Sequence, residues 1–496
     1  MKGLPVLLLL ILLISPPSLF YEDVPHENEI GGIESIEVTQ DIHASLQNGS
    51  FRIFYPRCSS PAIVERGGEF TVILQNFSCS SVDVKISTAY EPVVDEFYLE
   101  VEKFYGDEVV VKVPDNVPPE LYNLTVIGKE GGEYFAKTEP RAVSIVDSID
   151  GNFTFVHLTD FHIGDPRGMK VSVRETIGWK AAKKCVEEIN LLHPDFVVIT
   201  GDIVFGQLYP FEYSFEYRTF YEILQQFDVP TFLCPGNHDG YIQCGQDGFK
   251  FWQEYFGPLY YSFDYGDAHF VMANSYDWPS KNRVGFSYVV FQWGGYIQDE
   301  QLQWIENDLK ESNAKLKVLA LHHNPLWDTA NDSLIRKIGY KGRKELLSFI
   351  ELYGVDAVLA GHVHYDNVTI LNDTIYITTT TAASSLDKED AYWGYRLIDV
   401  RNWSIFSYNY KEPKYSIPSY RLNVSYLSEG KAIVKNDLDM DVNVLLKFTI
   451  PAEHEGKYSV KNGEIVMERS NGNLLQIYVR ATIGKGTEKE IGIELL

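Results

Sequence analysis

Hydrophobic and polar positions change period twice along the chain. Between about residues 33 and 146 they alternate with period two in short runs, at 69–74, 82–86, 97–101, 109–113 and 121–127, with turn residues between the runs. Such alternation buries one side of each strand and wets the other, which predicts an all-β sandwich of the immunoglobulin or fibronectin kind over residues 21–150. After the polar stretch 147–151 the period changes. Apolar runs at 153–159, 196–200 and 229–234 alternate with helical spacing over about 173–192 and 215–227. Strand and helix in alternation call for parallel strands joined by helical crossovers. Two strands are expected between residues 260 and 274, a surface helix over 299–309, and strands at 368–371, 375–379 and 395–400. An α/β domain therefore occupies residues 151–412. Past the linker-like 411–418 the period-two pattern returns, and 420–496 reads as a second, small β domain.

Residues 1–20 carry Lys2 and an apolar run over 4–14 before Ser15-Pro-Pro-Ser18. A run of that length falls short of the about twenty residues that span a bilayer core and suits a signal peptide. An uncleaved membrane anchor is the competing expectation, because apolar residues resume at Leu19-Phe20. Export leads to an expectation for the five cysteines: Cys58 with Cys79 and Cys234 with Cys244 could form two bridges in an oxidising compartment, with Cys185 a core thiol on a helical face. Asn-x-Ser/Thr sequons at Asn48, Asn76, Asn123, Asn152, Asn331, Asn367, Asn372, Asn402 and Asn423 agree with export in a glycosylating host. The formal charge of −26 argues against a protein that grips nucleic-acid duplexes through their phosphates. It suits an exported protein kept soluble by its charge.

Candidate chemistry sits where the apolar runs of the α/β domain stop. Asp160-Phe-His162, Gly201-Asp202, Gly236-Asn237-His238-Asp239, His322-His323 and Gly361-His362-Val-His364 each follow one of them. The ends of parallel strands are where open α/β sheets build their sites, so several strands deliver metal-binding side chains to one rim. Two other stretches invite functional readings that the residues do not favour. The aromatic-rich segment 275–297 could stack a base or hold an acyl chain, but packing on its own domain is the better account. Asp437, Asp439, Asp441 and Asn443 lack the glycine and the glutamate of an EF-hand loop and read as the wet face of a strand.

In their order and spacing, these five signatures resemble the calcineurin-like metallophosphoesterase superfamily over roughly residues 153–410. The resemblance implies two packed mixed sheets flanked by helices, an α/β fold here carrying N- and C-terminal all-β domains. It also implies two divalent metal ions. Asp160, His162 and His364 would hold one, Asn237, His322 and His362 the other, and Asp202 would bridge them. Oxygen and imidazole donors suit manganese, iron, zinc, cobalt or nickel better than calcium or magnesium. By the same resemblance, a metal-bound hydroxide attacks a small phosphate ester in line, with His238 at the leaving-group oxygen as general acid or as stabiliser of the transition-state charge. Asp239 either orients His238 or serves the turn. Of the adjacent pair, His322 is the expected ligand and His323 faces the substrate or supports the site. Purple acid phosphatases share an N-terminal β domain but place a metal-binding tyrosine three residues after the bridging aspartate, where this chain has Phe205, and they lack the histidine present here as His162. The expectation is thus a secreted phosphodiesterase in preference to a phosphomonoesterase or nucleotidase. An inactive cell-surface binding protein is the remaining alternative.

Overall fold

The computed structural model describes residues 51–89, 92–130, 133–165, 179–206, 212–284, 294–327, 339–386 and 388–496. The expected signal-peptide segment, the sequons at Asn48 and Asn331, the expected helical start at 173–178 and residues 285–293 of the aromatic segment lie outside these.

Strands of the α/β domain are labelled in chain order. The first sheet places Phe153–Leu158 (β1) between Phe196–Thr200 (β2) and Gly394–Arg401 (β10), with Thr231–Cys234 (β3) beyond β2 and Ser404–Ser407 (β11) beyond β10. β1, β2 and β3 run parallel, and β10 is antiparallel to β1. The second sheet has the order Tyr261–Tyr265 (β4), Ala268–Met272 (β5), Leu316–Ala320 (β6), Ala357–Ala360 (β7), Thr374–Thr378 (β9) and Asn367–Leu371 (β8). Its four inner strands are parallel and its two edge strands antiparallel. The sheets pack face to face: Phe153, Phe155, Phe196 and Val198 of the first meet Phe270, Val318, Leu359 and Ile377 of the second in one buried core. Helices Trp179–Leu192 (α1), Glu212–Leu224 (α2), Gly248–Tyr255 (α3), Asp299–Glu311 (α4) and Arg343–Leu352 (α5) belong to the same domain, with α1, α2 and α3 packed in one apolar cluster and α4 and α5 in another.

The N-terminal domain forms its own core from alternating residues such as Phe70, Val72 and Leu74. Its strand Glu96–Tyr105 pairs with Ser81–Thr88 through its first half and with Glu108–Lys112 through its second, with a bulge between Val101 and Lys103 where it passes from one layer to the other. The domain is also a clamp on the α/β domain. The Ser59 carbonyl accepts the Leu233 N–H, and Thr231 Oγ1 donates to the Cys58 carbonyl, so the turn around residues 57–60 covers the edge of β3. An open strand edge invites pairing with another chain, and this one is closed.

The C-terminal β region packs on α1, and the expected wet strand over Asp437–Asn443 does not form over that range. Val444, Leu446, Phe448 and Ile477 share one apolar cluster with Cys185, Val186 and Ile189 of α1, so helix and C-terminal strands have a common core. The strand begins only at Val442, and residues 437–441 are loop. There Asp437 pairs with Lys435, and Asp439 with Lys411 and Lys485, so ammonium groups neutralise these carboxylates and no calcium is needed. The bridging expectation for the cysteines also fails, since none of the five is in a disulfide. Cys234 points into the core between the sheets, Cys244 is exposed in the turn beyond it, and Cys79 lies against Phe77 and Gly128 in the N-terminal domain.

One ion cluster makes fold stability depend on pH. His269 on β5 is buried, with Nδ1 2.7 Å from Asp264 and Nε2 2.9 Å from Asp308 on α4. Burial opposes its charge, but the two carboxylates outweigh burial and raise the imidazole to about 9. A folded-state value above the unfolded one means that the stabilisation is complete below the unfolded pKa of about 6.5 and disappears as pH rises through 9. With Asp264 exposed to solvent, the contribution is on the order of 1–2 kcal/mol. Melting curves at pH 6 and pH 10 are expected to show a smaller drop for His269→Gln than for the wild type.

Candidate metal centre

The site forms where β1, β2 and β3 of the first sheet and β6 and β7 of the second stop at the same rim. Pairing between the first two segments continues past the strands. Asp160 N–H donates to the Gly201 carbonyl and His162 N–H to the Asp202 carbonyl, at 3.0 and 2.9 Å. Asp160 and His162 are thereby held beside Asp202.

Backbone conformation sets these side chains apart. Asp160, His162, Asp202, His362 and His364 all have positive φ, between 45° and 75°. Non-glycine residues seldom adopt this region, and such strain gathers at functional sites. Two glycines of the signatures are there for space. A Cβ on Gly236 would lie 2.2 Å from the Asp202 carboxylate, and one on Gly361 would lie 1.9 Å from Thr159 Oγ1 and 2.5 Å from Asp160 Oδ2.

The donor atoms converge. Asp160 Oδ1 lies 3.2 Å from His364 Nε2 and 3.6 Å from His162 Nε2. Asp202 Oδ2 lies 3.1 Å from His162 Nε2 and from His322 Nε2. His322 Nε2 lies 3.2 Å from His362 Nδ1. The sets Asp160–His162–His364, Asp160–Asp202–His322, His162–Asp202–His238 and His322–His323–His362 each bring one donor atom per residue within 4.8 Å of the others. Six of the seven residues expected as ligands, and His238, therefore stand at one place, with the seventh, Asn237, next to His238 in the chain, and all but the half-buried His362 are buried.

Two details fit this donor set to cations. Asp160 Oδ2 accepts Thr159 Oγ1–H and His362 N–H, while its Oδ1 is buried and has no hydrogen bond. Asn237 Nδ2 donates to the Tyr241 hydroxyl at 2.5 Å, while its Oδ1 is likewise buried and unbonded. Leaving a buried acceptor unmatched costs about 1–3 kcal/mol, and a bound cation removes that cost. Electrostatics agree. Burial alone would raise Asp160 and Asp202; nearby imidazoles, His322 first for both, hold the two carboxyls well below their usual range. His322 is raised to about 9 against burial by Asp202 and Asp160. His362 is pushed down by burial, His323 and His322.

Hydrogen bonds to carbonyls, which only accept, settle two tautomers. His322 Nδ1–H donates to the Thr200 carbonyl at 2.7 Å and His238 Nδ1–H to the Phe205 carbonyl at 2.6 Å, so both rings turn Nε2 toward the rim. Of the adjacent pair, His322 lies beside Asp160 and Asp202, while His323 Nδ1 meets Ser275 Oγ at 2.9 Å and its ring packs 4.4 Å from His362. Asp239 serves the turn: it accepts the N–H groups of Asp202, Ile203, Val204 and Gly236, and the Phe205 carbonyl is what orients His238. Sequence reading missed that carbonyl, because no side chain marks it, and it missed Asp165, 3.5 Å from His162 Nδ1.

Residues 153–366 match the model of the calcineurin-like phosphoesterases. The central domain belongs to the calcineurin-like phosphoesterase family. Among curated relatives of this phosphoesterase, a probable glycerophosphodiester phosphodiesterase of Arcobacter nitrofigilis is 27% identical over 46% of this chain and 77% of that protein. A 3',5'-cyclic-nucleotide phosphodiesterase of a Nostoc species is 23% identical over 53% of this chain and 94% of that protein. Purple acid phosphatase 23 of Arabidopsis thaliana is 31% identical, over 27% of this chain and 28% of the plant protein. With this family and this donor set, the chain is a metal-dependent phosphoester hydrolase.

Proposed function

We propose that the chain is an exported phosphodiesterase with a dinuclear metal centre, acting on a small phosphate diester. The observation that supports this reading is the pair of donor clusters Asp160–His162–His364 and His322–His323–His362, with Asp202 Oδ2 3.1 Å from both His162 and His322; Asn237, with its buried Oδ1 free of hydrogen bonds, would complete the second set. Two divalent ions, when bound, supply positive charge for the phosphoryl oxygens and lower the pKa of water. The remaining work belongs to the chain. His238, held by Phe205, turns Nε2 toward the rim 4.0 Å from Asp202 Oδ2. As an imidazolium it donates the Nε2 proton to the leaving oxygen, so the alcohol departs neutral. Asp239 keeps the Asp202 and Gly236 turns in register through four backbone amides.

Preference for diesters is supported by His162, whose Nε2 lies beside both carboxylates, and by Phe205, which stands where a tyrosinate would be needed for the purple centre. Export is supported by the apolar run after Lys2 and by exposed sequons at Asn76, Asn152, Asn372 and Asn402. The test is hydrolysis of bis-p-nitrophenyl phosphate and p-nitrophenyl phosphate side by side by the manganese-loaded protein, with a chelated control. Chelator-sensitive turnover favouring the diester is expected. Faster cleavage of the monoester would replace this reading with a nucleotidase or general phosphatase, and turnover unaffected by chelation would remove the metal.

A further inference from the structure

A polar layer lies between the apolar core of the two sheets and the rim above it. Odd-numbered residues of β1 face the second sheet: Phe153 and Phe155 belong to the inter-sheet core, and His157 continues the same face one step nearer the rim. His157 is fully buried. Its Nε2 lies 2.8 Å from Thr200 Oγ1, at the end of β2 in its own sheet, and its Nδ1 2.7 Å from Thr379 Oγ1, at the end of β9 in the other. Each ring nitrogen thus reaches a different sheet.

The direction of the chain of hydrogen bonds follows from donor chemistry. Arg396, paired with His157 across β1 and β10, donates Nε–H to Thr379 Oγ1 at 3.2 Å and Nη2–H to Asp366 at 2.8 Å. A guanidinium only donates, so Thr379 Oγ1 accepts from Arg396; with its own proton given to His157 Nδ1, His157 Nε2–H donates to Thr200. The imidazole has one donor and one acceptor and uses both, as a neutral ring. Burial first and Arg396 second push it down to about 3, which agrees with neutrality. The layer ends at the expected ligands. The Thr200 carbonyl accepts His322 Nδ1–H, and Asp366 lies two residues after His364.

We propose that His157 is a positioning residue that fixes the separation of the two sheets beneath the rim, and so sets the geometry of a metal centre whose ligands are divided between them. Asp160, His162, Asp202 and Asn237 come from the first sheet, and His322, His362 and His364 from the second. This inference rests on the metal reading given above. An apolar residue at position 157 would hold the sheets together with less directional control, because a satisfied buried polar network specifies register where packing alone does not.

The test uses the full chain of the wild type and His157→Phe, with three readouts: manganese affinity by equilibrium dialysis and elemental analysis, the electron paramagnetic resonance spectrum of the dimanganese form, and melting of the metal-free protein. His157→Phe is expected to melt cooperatively without metal, to bind manganese about 10- to 100-fold more weakly, and to show altered coupling between the two ions. Thr200→Val and Thr379→Val, which each remove one hydroxyl, are expected to move affinity in the same direction by less. Wild-type affinity and spectrum in His157→Phe overturn the proposal, whatever its metal-free stability. If His157→Phe does not fold, unchanged affinity in both threonine variants overturns it equally. A wild type that binds no manganese removes the metal reading itself, whereas a wild type that binds two ions beside indifferent variants removes only the role of His157.

Discussion

Asp202→Asn is expected to lose turnover and metal together, with kcat/KM down by at least about 10³, equivalent to about 4 kcal/mol of transition-state stabilisation. Asp202 Oδ2 is 3.1 Å from an imidazole of each half of the donor set, and Oδ1 accepts the His238 backbone N–H at 2.8 Å. An amide in its place loses the negative charge that two adjacent cations need. It also turns an NH₂ group either toward the His238 N–H or toward the imidazoles, so whichever way it faces, one contact becomes unfavourable. The fold should survive, because the Asp239 carboxylate still holds the turn through the backbone amides of Asp202, Ile203, Val204 and Gly236, against the single backbone contact that the Asp202 side chain makes to His238. Elemental analysis beside steady-state kinetics checks this: a variant that keeps two ions per chain and a rate within tenfold of wild type would exclude Asp202 as the shared ligand.

The same residue shows how far the sequence could be read. That Asp202 ends a buried strand is plain from residues 196–200, an unbroken apolar run closed by Gly201. The run before His362 is equally plain, because a strand buried on both faces leaves no polar position inside it; those before Asp160, Asn237 and His322 are mostly apolar but carry Thr154 and His157, Thr231, and Lys317. That the strand ends share a rim followed from strand direction, but that the rims of two sheets meet was legible only through the resemblance, since Asp160 and His364 are brought together by two sheets whose packing depends on side chains such as Phe155 and Phe270. Positive φ at five of the donor residues was only faintly legible: aspartate and histidine adopt it more readily than most residues, but nothing beyond the flanking glycines says at which positions. Contacts made by backbone atoms were equally silent, as with the Phe205 carbonyl. The C-terminal strands were legible as strands from their alternation, but not as the cover of α1. An amphipathic helix shows that one face is buried and does not say what buries it. The cysteines were misread for a related reason, because spacing along a chain carries no distance between thiols.

His238→Ala separates proton donation from metal binding. His238 stands within reach of Asp202 at 4.0 Å, and its other nitrogen is spent on the Phe205 carbonyl. Removing the ring therefore leaves Asp160, His162, Asn237, His322, His362 and His364 in place, and both ions are expected to stay. The rate is expected to fall by about 10²–10⁴, the usual contribution of a positioned acid. How far it falls must depend on the leaving group. A nitrophenolate departs readily as an anion and needs little help, whereas an alkoxide departs badly unless protonated. The loss should be smallest with bis-p-nitrophenyl phosphate and largest with a dialkyl diester of a glycerol type. Equal losses across both substrates would mean that His238 stabilises charge on the phosphoryl group and gives no proton to the leaving oxygen. Full activity on the alkyl ester would exclude it from the chemistry, and the imidazole of His323, in the donor set with His322 and His362, would be the next group to vary.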